Sequence, residues 1–172
     1  NILVGGVDES GEHTNAIHKL IQHIKPEKIN TNKLLQSKTG GTVFGEGANF
    51  FVLSNIKQDS SYAQVIDVKT FNTMAKSDLV SNLEAYLKGN NLSVADIDVL
   101  ISGNNGDIDY DNYYVDLDNG PFKNIQQVVY KHLSGEFNTA SAFGFWLGAK
   151  ILKSQHIPKA IALNAIKTKG LR

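Results

Sequence analysis

Apolar positions along this chain recur in two rhythms. Short runs rich in β-branched residues, at Ile2–Val7, Asp98–Gly103 and Gln126–Tyr130, have the length and composition of buried strands. Tyr62–Phe71 alternates apolar and polar residues and predicts a further strand, with Asn55–Ser61 as a hairpin-like connection. Gly40–Leu53 reads as a glycine-broken strand, where glycines mark a bulge or the close approach of another backbone. Helical spacing appears in three places. Ile17, Leu20, Ile21 and Ile24 predict one apolar face on a helix from about Asn15 to Ile24, stopped by Lys25–Pro26. Leu79, Val80, Leu83, Tyr86 and Leu87 predict the buried stripe of a helix over Ser77–Lys88, capped by Ser77 and ended by Gly89. Phe143, Trp146, Leu147 and Ile151 predict the third.

Strands alternating with helices indicate an α/β fold, a sheet with helices on its faces. The segment Val128–Gly144 is the point on which the pattern converges. An apolar strand end gives way to Ser134–Gly135, and small residues then open a helix. In open α/β sheets, ligands collect where strands end and helices begin, and Lys131 and Glu136 flank that corner.

Composition narrows the partners. Seventeen basic and seventeen acidic side chains give zero formal net charge, so nothing general favours nucleic acid or an anionic membrane. No apolar run approaches the roughly 18 residues of a spanning helix, no secretory leader pattern is visible, and the cytoplasm is the default expectation. Without cysteine the chain carries neither disulfide nor thiolate. Asn1 opens directly into a strand pattern, and Ile161–Leu163 looks like a strand start without a convincing terminal element after it, so a piece of a longer protein is expected.

Candidate chemistry is sparse. His13, His18 and His23 stand five apart, about 140° around a helix from one to the next, so a shared metal is not expected and surface positions are. The basic cluster Lys25, Lys28, Lys33 and Lys38 falls in a polar, loop-like stretch. Gly45–Glu46–Gly47 leads into a strand, not into Gly-Lys-Ser/Thr or a helix, which excludes a P-loop and a dinucleotide fingerprint. Asp107, Asp109, Asp111 and Asp118 match four positions of a calcium loop. The turn glycine and the bidentate glutamate are replaced by Asn112 and Asp118, leaving a solvated acidic turn as the expectation. By local pattern alone, Lys131 and Glu136 read as a surface ion pair.

Leu3–Glu9, Gly45–Glu46–Gly47–Ala48 running into Phe51–Leu53, and Lys131 with Gly135 before a run of small residues together resemble the β-ketoacyl-acyl-carrier-protein synthases. The resemblance implies a thiolase-like layered αβαβα architecture, with 1–55 as the end of the first half-repeat and 61–172 as an incomplete second half. It places Lys131 on the family's active-site lysine and Glu136 on its second histidine, directly after the glycine that is Gly135 here. Gly103 falls on its first histidine and Asp111 on the aspartate of a downstream Gly-Asp pair. Gly45, Glu46 and Gly47 belong to the strand beside the site. The stretch with the family's cysteine nucleophile has no counterpart in this chain.

The chemistry states what those replacements mean. In decarboxylative condensation two imidazoles donate hydrogen bonds to a thioester oxygen as enolate charge builds, and losing one such donor costs about 2.7 to 4 kcal/mol of barrier. Glycine donates nothing from a side chain, and an ionised glutamate offers only lone pairs. The resemblance therefore implies a subunit of the chain-length-factor type, of fatty-acid, polyketide or aryl-polyene pathways. Such a subunit needs no cofactor or metal, pairs with an active ketosynthase, and shapes the pocket for an acyl chain held on acyl carrier protein. One alternative is an active synthase with compensated replacements, Glu136 acting as a protonated donor. The other, of a different class, is an α/β binding module unrelated to acyl chemistry, for which solvent-exposed glycines in residues 40–53 would speak.

Overall fold

The computed structural model describes residues 1–164, 170 and 171. Among these residues it is a mixed α/β structure with two small sheets. In the first sheet β1 (Ile2–Asp8) pairs antiparallel with β2 (Gly47–Leu53), Ile2 opposite Leu53 and Asp8 opposite Gly47. In the second, β3 (Val99–Ser102) runs parallel to β4 (Gln126–Val129), with Ser102 opposite Val129. Parallel strands need a crossover element, and α3 (Ile108–Asn119) supplies it.

The second sheet is the centre of the core because its residues serve both faces. Val99 and Ile101 of β3 pack against Val128, Tyr130, Leu147 and Ile151, so this face is covered by α5 (Ala140–Ser154). Leu100, pointing the other way by the period-2 rule, packs with Leu87 of α2 (Leu79–Gly89) and Leu117 of α3. All four residues of β4 are buried, as expected of a strand covered on both sides. Its far edge receives Ala162 as an antiparallel bridge to Val128, which gives the strand start read at Ile161–Leu163 a partner. Residues 165–169 lie outside the described part of the chain.

Other sequence expectations need correction. Tyr62–Phe71 forms no strand: it is exposed throughout and carries no regular structure. Its alternation has no sheet edge to satisfy, and periodicity alone cannot supply one. The first helix, α1, runs over Glu12–Leu20, and Ile17, Leu20 and Ile21 are exposed. Much of the first sheet is likewise open to solvent, with Ile2 67% and Leu3 68% exposed, while β2 sets Phe51 edge-on against Phe145 of α5. In Gly40–Leu53 only Gly47–Leu53 is strand, preceded by single bridges at Thr42 and Phe44. Ser77 lies in a short 3-10 turn ahead of α2 and bonds Asp78 rather than capping the helix. The polar stretch 27–40 holds a 3-10 turn with fully buried Leu34, and Lys25 is buried with its ammonium on the Thr39 carbonyl and hydroxyl, 3.0 Å each.

Candidate functional site

β3 and β4 end side by side, and the chain leaving each of them builds one cavity of about 440 Å³. β4 passes through Tyr130 into the single turn α4 (Lys131–Ser134) and then to Gly135. Gly135 has φ +75°, and a Cβ there would meet the Gly45 backbone nitrogen at 2.7 Å. This is a left-handed position with no room for a side chain, which is the case for glycine. Beyond it the backbone zips onto the 43–45 segment: Glu136 N–H donates to Val43 C=O at 2.9 Å and Gly45 N–H to Glu136 C=O at 3.0 Å. The backbone of Glu136 is thereby fixed, and its side chain turns back toward Lys131.

Lys131 Nζ donates to Glu136 Oε1 at 2.9 Å and Oε2 at 2.6 Å. The side chains are 15% and 21% exposed, so the surface pair expected from local pattern is instead a mostly enclosed one. Asn105 Nδ2 donates to Glu136 Oε2 at 2.6 Å, tying in the loop after β3. That loop is held by the first turn of α3. Asp111 accepts from the Asn105 and Gly106 N–H groups at 2.9 Å each, and Asp107 caps the helix by accepting from Asp109 N–H at 3.0 Å. The solvated acidic turn read for Asp107, Asp109, Asp111 and Asp118 is therefore a helix: the first three form its start, with Asp107 buried, and Asp118 lies in its last turn. Burial pushes the Asp111 carboxyl above the ordinary carboxylate range, against the two N–H bonds that favour its charge.

The walls of the cavity are largely aromatic. Tyr110, Tyr113 and Tyr114 come from one face of α3, at the i, i+3, i+4 spacing that puts side chains together. Phe44 and His23 line the opposite part, with Thr42 between the two loops. Thr42 Oγ donates to the Asn105 carbonyl. Gly103 sits where Tyr114 comes closest: a Cβ on Gly103 would meet the Tyr114 hydroxyl at 2.6 Å and Lys131 Nζ at 3.8 Å. Burial first, then the charges of Asp111 and Glu136, pushes the Tyr114 phenol upward. Tyr130 shifts the same way, again chiefly by burial.

Gly103, Lys131, Glu136, Asp111 and Gly135, separated in sequence, are thus joined in one constellation, with Gly45 packed on the Ser134–Gly135 turn. Gly47 lies against the Phe137 ring, at the rim rather than in the cavity. Glu46 is exposed and turns away, accepting from Ser10 N–H at 3.2 Å. Gly40, Gly41, Gly45 and Gly47 are buried or half-buried.

Sequence reasoning missed the tyrosines, Asn105 and His23. The tyrosines carried a signal, their spacing on a helix-compatible stretch. His23 did not: α1 stops at Leu20, Gln22 takes a left-handed φ of 60°, and the chain folds back so that the His23 and His18 rings stack at 5.7 Å. The helical 140° argument fails for that pair. His18 also lies 4.2 Å from the Phe44 ring, and its Nδ1 is buried without a partner among the described residues.

Among the described residues no cluster of His, Asp and Glu has the arrangement of a metal site, and no helix is long and apolar enough to cross a membrane. No protein-family model, curated protein or solved structure matches this chain.

Proposed function

We propose that this chain is a ketosynthase-like subunit of fatty-acid, polyketide or aryl-polyene synthesis. It belongs to the thiolase-like layered arrangement, acts in the cytoplasm, and shapes the cavity for a partner's acyl chain instead of forming the carbon–carbon bond. The observation that carries the reading is the occupied lysine. Lys131 is held by both oxygens of Glu136, Asn105 locks that carboxylate from the other side, and Gly103 offers no side chain. At these three positions the cavity floor contains a compensated charge pair and no imidazole. Such a floor binds and orients, but at these positions it lacks the two neutral imidazoles that donate to the enolate in condensation. The partner would be a ketosynthase that supplies the thiol nucleophile, and the ligand an acyl chain on acyl carrier protein.

One observation favours the active-synthase alternative: His23 lines the same cavity. The two are separated by release of carbon dioxide from malonyl carrier protein. The purified protein alone is expected to give none above the buffer rate, with activity appearing only when an active synthase is added. A synthase-like rate from the protein alone that His23→Ala abolishes would overturn the non-catalytic reading.

A further inference from the structure

We infer that the Tyr114 hydroxyl and the Lys131 ammonium form one hydrogen-bonding recess that receives the carbonyl oxygen of an acyl thioester lying in the cavity. The inference rests on the acyl reading above and adds the groups that recognise the ligand.

Gly103 creates the recess. The volume a side chain would take there is where the Tyr114 oxygen sits, 2.6 Å from the virtual Cβ, and Lys131 Nζ lies 3.8 Å from the same point. Two donors from different elements, α3 and α4, therefore converge at the end of β3. Their hydrogens are available. The Tyr114 hydroxyl lies against the Gly103 backbone and donates to no protein acceptor among the described residues. An ammonium has three N–H bonds, and the Glu136 oxygens take two of those on Lys131. Burial keeps the phenol protonated, and so a donor, through the physiological range.

The charge balance selects the ligand group. Because Glu136 cancels Lys131, a carboxylate gains little there, while a carbonyl oxygen with two lone pairs can accept from both donors. Phe44, Tyr110 and Tyr113 line the same space and offer apolar surface to the chain attached to that carbonyl. The volume lies within the range of small-molecule pockets, roughly 300–1,000 Å³.

The test uses two probes of one length, hexanoyl-pantetheine and S-hexyl-pantetheine, the second lacking the carbonyl, titrated calorimetrically into the whole chain. Tyr114→Phe keeps the ring and removes the donor. It is expected to weaken the thioester about tenfold, the scale of one hydrogen bond, and to leave the thioether unchanged. Gly103→Ala, whose new methyl displaces the phenol, is expected to reproduce that selective loss. Equal effects on both probes, or none, would overturn the recess while leaving the acyl reading intact. A wild-type chain that binds neither probe would overturn both.

Discussion

Lys131 and Glu136 face each other across the Ser134–Gly135 break, Nζ 2.6 Å from Oε2, with a second bond of 2.9 Å to Oε1. Both side chains are largely screened from water, so neither partner is easily left alone. Glu136→Gln keeps the shape and strands the ammonium. We expect a loss of about 1–3 kcal/mol in urea unfolding, below the roughly 3–5 of a fully buried pair because these groups are partly solvated. The double variant Lys131→Met/Glu136→Leu is expected to lose less than the single one. A Glu136→Gln protein as stable as wild type would show that the pair contributes nothing to the fold.

Gly135 is a second point of dependence. Its φ of +75° and the 2.7 Å separation between a virtual Cβ and Gly45 N make alanine doubly unfavourable. Gly135→Ala is expected to cost about 2 kcal/mol or more, with loss of amide-exchange protection at Gly45 and Glu136, whose N–H groups close this junction. Unchanged protection at both amides would contradict that coupling.

Asp111 makes stability depend on pH with a defined sign. Its folded-state pKa is raised above 3.8, chiefly by burial. In the window from about that value up to the raised one, the native state binds more protons than the unfolded chain, and stability falls as pH rises. Relative to Asp111→Asn, the wild-type protein should therefore gain stability as the pH is lowered through that window. Parallel unfolding profiles of the two proteins from neutral pH to pH 4 would refute the assignment.

The exposed stretch 54–71 predicts where the chain is cut. It has no regular structure beyond a turn near its start, and its backbone is tied mainly through Lys153, whose Nζ reaches the Asp59 and Ser61 carbonyls at 2.8 and 3.2 Å. Trypsin is expected to cleave first after Lys57 or Lys69, as read by mass spectrometry, and Lys153→Ala should hasten the cut at Lys57. Early cleavage after Lys123 or Lys131, beside the buried strand β4, would contradict the packing.

The linear pattern by itself determined the elements whose apolar periodicity meets a covered surface. β3, β4, α2 and α5 emerge close to where their residues predict them, because Val99, Leu100, Ile101, Leu87, Leu147 and Ile151 each have a core to enter. The corner at Lys131–Glu136 was legible for the same reason: a strand, a glycine break and a helix start are local signals. Where no partner surface exists, the same kind of pattern misled, as at Tyr62–Phe71 and on the outer face of α1. Tertiary structure alone decided what faces the corner. Asn105 and the three tyrosines arrive through the β3–α3 connection, and His23 through a left-handed turn at Gln22. The occupation of the Gly103 side-chain volume by the Tyr114 hydroxyl depends on two backbones approaching each other in space. Such proximity comes from packing between segments distant in the chain, and no local spacing encodes it.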